Sequence, residues 1–351
     1  VVAGGGDIRL SAQWRHTNKE ARCARAVDGA TRRPLFLDTS ARRGDVLGPE
    51  RCGHDMSQAR HDFSGRVAIV TGAGAGLGRA YALWLARHGC AVVVNSRARA
   101  DGSSGAPAVV AEIEAAGGLA VAHVGSAEAP ESGPALVALA EQRFGAPEIL
   151  ICNAGIQRWA DFNGAALAEL REVVEVNIWG AVYPVHAAWP GMVARGYGRI
   201  VLTSSAAGLW GQQQSADYAL SKGAMIGLAR SLALDAPPEA DLRINVIAPA
   251  AYTAMSASVV PQEWAQYMSA EHVAPVVGWL CSPACQESGM IIHAGAGRVR
   301  RARITEGPIA ELASGSLDQL MMRPDDPHEP VGSFGAGSEL MPELFAAMRT
   351  R

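Results

Sequence analysis

Val67-Ala68-Ile69-Val70-Thr71-Gly72-Ala73-Gly74-Ala75-Gly76-Leu77-Gly78 is the stretch from which the architecture of the chain can be read. A short apolar run ends on a cluster of glycines, and a segment that reads as helix follows directly, through about Arg87. The apolar run has the length and β-branched content of a buried strand. Glycines at such a junction let a dinucleotide pyrophosphate approach the backbone closely at the helix N-terminus. There, free N–H groups and the helix dipole favour its negative charge. Alone, a glycine string is an ordinary tight turn; with a strand before it and a helix after it, it reads as a nucleotide-binding turn.

The same alternation continues outward. Further strands are expected at Ala91–Asn95, Leu119–Val124, Ile149–Cys152, Arg199–Thr203, Arg243–Ile247 and Met290–His293. Helices are expected near Ala108–Ala116, Pro134–Phe144, Leu167–Ala194 and Tyr218–Ala236. Strands alternating with helices specify a parallel sheet covered on both faces. The expected fold class is therefore α/β: a doubly wound Rossmann fold with a mostly parallel, seven-stranded sheet. The expected organisation is an extension over residues 1–60, a dinucleotide-binding domain over 61–300 and a C-terminal tail over 301–351. The first segment is rich in Arg, Gly, Asp and Ser without apolar periodicity, and its acids argue against a transit peptide. Met56 is the expected natural start, with a translated leader or a disordered extension before it.

Composition narrows the function. The chain has 351 residues, 49% hydrophobic and 19% charged, which suits a packed core. A net charge of −3 argues against a nucleic-acid partner. No apolar run reaches the roughly 18 residues of a membrane-spanning helix, and no apolar secretory signal opens the chain. Cytoplasmic residence is the expectation. The six cysteines (Cys23, Cys52, Cys90, Cys152, Cys281 and Cys285) form no paired framework, in keeping with a reducing compartment. Cys281 and Cys285 lie one helical turn apart, but without a second pair or nearby histidines they read as ordinary thiols, and no metal is expected.

Tyr218-Ala219-Leu220-Ser221-Lys222 carries the clearest chemical message. Residues four apart on a helix share a face, so the phenol and the ammonium can converge. A free tyrosine titrates near 10, too high for proton transfer at neutral pH, and a nearby ammonium favours the phenolate. The only lysines in the chain are Lys19 and Lys222, which makes the placing of this one in a Tyr-x-x-x-Lys pattern informative. Ser204 and Ser205, at the end of the expected fifth strand, bring hydroxyls that can hydrogen-bond a substrate oxygen.

The spacing Thr71-Gly72 with Gly76 and Gly78, followed by Asn153-Ala154-Gly155 and the Tyr218/Lys222 pair, resembles the short-chain dehydrogenase/reductase family. The likeness runs from about Phe63 to Glu306. It implies an NAD(P)-dependent oxidoreductase in which Tyr218 is the acid/base, with Lys222, Ser205 and Asn177 completing the catalytic set. Asn177 is implied to anchor a water linking Lys222 to solvent. Cofactor contacts are implied for Gly72, Gly76, Leu77, Gly78, Asn153, Ala154, Gly155, Tyr218 and Lys222, and on the nicotinamide side for Pro249 and Thr253. The acidic residue that binds the NAD ribose is replaced by Ser96-Arg97, which favours NADP(H) over NAD(H). Gly125 stands where the family often has an adenine-contacting Asp.

Within the family, Tyr197–Ile200, Ser204–Gly211, His272–Cys281 and Gly295–Gly297 resemble one branch. It comprises the (3R)-hydroxyacyl-CoA dehydrogenase domain of peroxisomal multifunctional enzyme type 2 and its bacterial single-domain relatives. This implies a small-molecule substrate such as a 3-hydroxyacyl-CoA or a hydroxysteroid, and a homodimer or homotetramer; no hydratase segment is expected to follow, because the chain ends about fifty residues after the similarity stops. An NADPH-dependent reductase of other ketones stays open, as does a nucleotide-sensing regulator. The apolar segment Ala251–Gln266 suits an acyl chain or a steroid and equally a packed lid.

Overall fold

The β-branched apolar runs form the centre of a sheet in the computed structural model, which describes residues 61–305 apart from 259. Its strands are β1 (Val67–Val70), β2 (Ala91–Ser96), β3 (Ala120–Val124), β4 (Ile149–Cys152), β5 (Tyr197–Thr203), β6 (Asp241–Ala250), β7 (Ile291–Gly295) and β8 (Arg298–Ala302). Their order is β3-β2-β1-β4-β5-β6-β7-β8. All neighbouring strands are parallel except β7 and β8. The order reverses between β1 and β4, which opens a crevice at their carboxyl ends.

Alternate residues of β1 serve two cores. Ala68 and Val70 pack with Leu85 of α1 (Gly76–Arg87), Val109 of α2 (Ala106–Ala115) and Val277 of α8 (Ala274–Cys281). Val67 and Ile69 pack on the other face with Leu136 of α3 (Ser132–Arg143), Met192 of α5 (Gly180–Arg195) and Met225 of α7 (Ala216–Asp235). Two covered faces explain why β1 is apolar throughout rather than alternating. Each such Leu, Val or Met removed from water contributes about 1.5–3 kcal/mol.

Several expectations need correction. The sheet has an eighth strand, β8, which reads as polar because of Arg298, Arg300 and Arg301. Ala296 and Gly297 join it to β7 with φ of 50° and 68°, the paired left-handed conformation of a tight hairpin. The domain boundary expected at 300 falls inside this strand. The single helix expected over Leu167–Ala194 is α4 (Leu167–Val174), a π-turn over Glu175–Trp179, and α5. β6 continues to Ala250, so Pro249 lies within a strand and pairs with Ala294. The short helix α6 (Ala206–Trp210) and α8 were not anticipated. The expected extension over 1–60, the Met56 start and the tail beyond 305 lie outside the described residues.

Among the described residues, no helix is long and apolar enough to cross a membrane, and no group of three His, Cys, Asp or Glu side chains is arranged to hold a metal.

Candidate active site

The glycine turn and the loop after β4 are stitched together at the sheet crevice. The Thr71 hydroxyl, fully buried, accepts from the backbone N–H of Asn153 and of Ala154, each at 3.1 Å. The Asn153 amide nitrogen donates to the carbonyls of Thr71 and Gly72, both at 3.2 Å. Asn153 thus shapes the glycine turn with its side chain. Gly72 has φ +62°, and a Cβ there would lie 2.7 Å from Ala154 Cα. A Cβ on Gly78 would lie 2.6 Å from the Asn153 amide nitrogen. Both positions therefore exclude any side chain.

α1 begins at Gly76 without a side-chain cap and with no acidic residue in its first turn. Uncapped N–H groups beside a turn that carries nothing larger than a methyl group fit a dinucleotide pyrophosphate. Leu77 faces inward and packs on the α1–α8 core. Thr253 overhangs this N-terminus, with its Cγ2 3.4 Å from where a Gly76 Cβ would sit. The Thr253 N–H is held by the Ser256 hydroxyl at 2.8 Å. Pro249, at the end of β6, comes to the same edge of the sheet.

At the end of β2, Ser96 and Ser104 share a hydrogen bond of 2.8 Å, and Arg97 is exposed with no ion pair among the described residues. Asn95 is buried and its amide donates to the Gly125 carbonyl at 2.8 Å and meets His123 Nδ1 at 3.0 Å. The His123 ring edge fills the volume a side chain at Gly125 would need, with Cε1 2.9 Å from that Cβ position. Sequence reasoning missed this Asn95–His123 pair.

The structure brings Ser205, Tyr218 and Lys222 together at the neighbouring strand ends. Ser205 caps α6, its hydroxyl accepting from Ala207 N–H at 3.2 Å, and the same hydroxyl lies near enough to the Tyr218 phenol to favour its ionised form. Ser204 is buried and turned away, donating to the Lys222 carbonyl at 2.7 Å. Lys222 Nζ lies 5.6 Å from the Tyr218 ring centroid and donates to the Thr203 carbonyl at 2.9 Å. Burial holds the Lys222 ammonium down at about 8. Burial also pushes the Tyr218 phenol above its ordinary value, a push the nearby Ser205 hydroxyl opposes. The expectation of a tyrosine lowered by its lysine is thus reversed here, because both groups are desolvated together.

Asn177 lies in the π-turn, almost wholly buried. Its Oδ1 accepts from Ile156 N–H at 2.7 Å, and its amide donates to the Ile156 carbonyl and the Ser221 hydroxyl, each at 2.9 Å. Both amide hydrogens are therefore spent on protein partners. Gly155 lies beneath Asn177 and Lys222: its Cβ would be 3.1 Å from Asn177 Oδ1 and 3.3 Å from Lys222 Nζ.

A family model described as short chain dehydrogenase matches residues 66–264. The chain is 39% identical over 246 residues to the peroxisomal multifunctional enzyme type 2 of Mus musculus, covering 69% of this chain and 33% of that protein. It thus spans about a third of that relative's length. It is 38% identical over 241 residues to a hydroxyacyl-CoA dehydrogenase of Mycobacterium tuberculosis, covering 64% of this chain and 75% of the relative. The solved full-length peroxisomal multifunctional enzyme type 2 of Drosophila melanogaster superposes with a TM-score of 0.69 at 30% identity, over 82% of this chain and 50% of that one. The chain belongs to the short-chain dehydrogenase family.

Proposed function

We propose that the chain interconverts a secondary alcohol and a ketone on a 3-hydroxyacyl-CoA or a hydroxysteroid-like molecule, with Tyr218 moving the proton at the substrate oxygen. The observation that carries this reading is the convergence of Ser205, Tyr218 and Lys222 beside an uncapped helix N-terminus and a glycine-rich turn. When bound, the dinucleotide supplies or takes up the hydride. Gly76 leaves room for its phosphates at the helix N-terminus, overhung by Thr253, while Gly72 and Gly78 let the turn pack on Ala154 and Asn153; Gly155 lies against Lys222, and Pro249 stands at the end of β6. Ser205 orients the substrate oxygen against the phenol. Lys222 steadies negative charge on that phenol as the proton leaves it.

The exposed Arg97 beside the Ser96–Ser104 pair supports NADP(H) over NAD(H), since a 2′-phosphate calls for a cation and hydroxyl donors. The same observation favours the second reading, an NADPH-dependent ketone reductase. Similarity to a hydroxyacyl-CoA dehydrogenase favours the first substrate class. Exposed Trp159, Trp210, Met255 and Trp264 follow the ends of β4, β5 and β6 and suit an apolar substrate body. Assembly into a dimer or tetramer belongs to the same proposal; the exposed Trp179, stacked on Tyr183, and Leu220 and Leu234 supply apolar surface for it. Cytoplasmic residence is likewise proposed, although the mouse relative is named as peroxisomal.

The test follows nicotinamide absorbance with NAD⁺ and NADP⁺ against a panel of 3-hydroxyacyl-CoA thioesters and hydroxysteroids, for the wild type and Tyr218→Phe. Turnover in the wild type that disappears in the variant supports the reading. A dinucleotide-binding protein inert across the panel overturns the substrate assignment.

A further inference from the structure

We propose that Ser221, between the tyrosine and the lysine, is a positioning residue that fixes the first turn of α7 to Asn177 and so sets where Tyr218 presents its phenol. This inference rests on the catalytic reading of Tyr218 given above.

Ser221 is fully buried, and its hydroxyl makes two hydrogen bonds. It donates to the Tyr218 carbonyl at 2.8 Å and accepts from the Asn177 amide at 2.9 Å. The first bond is local to α7. The second joins α7 to the π-turn. Asn177 in turn clamps both backbone groups of Ile156, the residue after Gly155. Three chain segments therefore meet at one polar node: the loop after β4, the π-turn and α7. Every donor of that node has a partner.

Geometry explains why a hydroxyl is needed. A helix with its own i→i−4 ladder complete can still rotate or slide by a few tenths of an ångström against its neighbours. Apolar packing of Met225 and Ile226 resists this only weakly, because such contacts are not directional. A buried hydrogen bond is directional and costly to leave unmade. Ser221 sits one residue before Lys222 and three after Tyr218, so it ties down the turn that carries both. Catalysis depends steeply on such placement, whereas dinucleotide binding, built largely on the glycine turn, does not.

The experiment compares the full-length wild type with Ser221→Ala, Ser221→Thr, Asn177→Ala and the double variant Ser221→Ala/Asn177→Ala, with Tyr218→Phe as control. Steady-state kinetics are read beside dinucleotide affinity by fluorescence titration and thermal unfolding. The expected result is a kcat at least tenfold lower in Ser221→Ala, with dinucleotide affinity within about twofold of the wild type. Ser221→Thr, which keeps the hydroxyl, recovers most of kcat. The double variant is no slower than Asn177→Ala alone, because the two residues act through one link. Additive losses, or a Ser221→Ala enzyme that folds and turns over normally while Tyr218→Phe is dead, overturn the proposal. Turnover that survives in Tyr218→Phe overturns instead the catalytic reading beneath it.

Discussion

The Lys222 ammonium donates to the carbonyl of Thr203 at 2.9 Å, and among the described residues no carboxylate forms a salt bridge with it. A cation buried on so little compensation costs stability: its fall from 10.5 to about 8 corresponds to roughly 3 kcal/mol. Lys222→Met should abolish turnover yet unfold at higher temperature than the wild type, with a gain of about 1–3 kcal/mol. The sign is also visible in pH. Between about 8 and 10.5 the unfolded lysine holds a proton that the folded one has lost, so its contribution makes the wild type more stable as pH rises. Denaturant melts at several pH values should show that slope flattened in the methionine variant.

Arg97 offers the cleanest test of cofactor choice. Arg97→Ala should weaken NADP⁺ binding about tenfold and leave NAD⁺ affinity nearly unchanged, since only the former carries a 2′-phosphate. Isothermal titration of the two dinucleotides measures both. Equal losses would mean that Arg97 acts on the shared pyrophosphate instead.

Much of this was legible in the sequence because it rests on local pattern. A buried strand running into glycines, and a Tyr/Lys pair four apart on a helix, declare themselves without tertiary context. The break in the helix at Asn177 did not, since nothing in Glu175-Val176-Asn177-Ile178-Trp179 marks a wider turn; a partner elsewhere, Ile156, makes it worthwhile. The Thr203 carbonyl that receives Lys222 is backbone and has no sequence signature at all. β8 was hidden because an edge strand needs no apolar alternation, although Ala296-Gly297 marked its hairpin. Burial reversed the expected shift of Tyr218, and burial is a property of the assembled core rather than of spacing.

Opposite the crevice, Arg199 of β5 is wholly buried and donates to the Asp241 carboxylate at 2.9 Å and to the Ser282 carbonyl at 3.2 Å. The Tyr197 ring lies between the guanidinium groups of Arg66 and Arg199, at 4.4 and 4.5 Å. Asp241→Asn leaves a buried guanidinium without its counter-charge and should cost about 2–4 kcal/mol, while dinucleotide affinity at the far end of the strands stays unchanged. Urea denaturation combined with cofactor titration separates the two effects.

Acid should weaken the fold before it protonates carboxylates. His61, His123 and His293 are each held below 6.5, first by burial, with His88 acting on His61 and Arg300 on His293 in the same direction. Below 6.5 the unfolded chain takes up protons that these residues refuse in the folded state, so stability falls as pH drops and is fully present above that value. The urea midpoint should be lower at about pH 5 than at about pH 7.5, and His123→Gln should reduce the difference.

The hairpin that closes the sheet has a consequence for crowding. β8 ends the described sheet with Arg298, Arg300, Arg301 and nearby Arg303, of which Arg301 alone has a carboxylate partner among the described residues, Glu287 at 2.7 Å. A strand edge is otherwise an invitation for another molecule to continue the ladder. Two such edges brought together would set rows of guanidinium groups against each other, so end-to-end polymerisation through β8 is opposed by its own charge. That protection is ionic and weakens in concentrated salt, where the same edge becomes the place at which the protein would begin to gel.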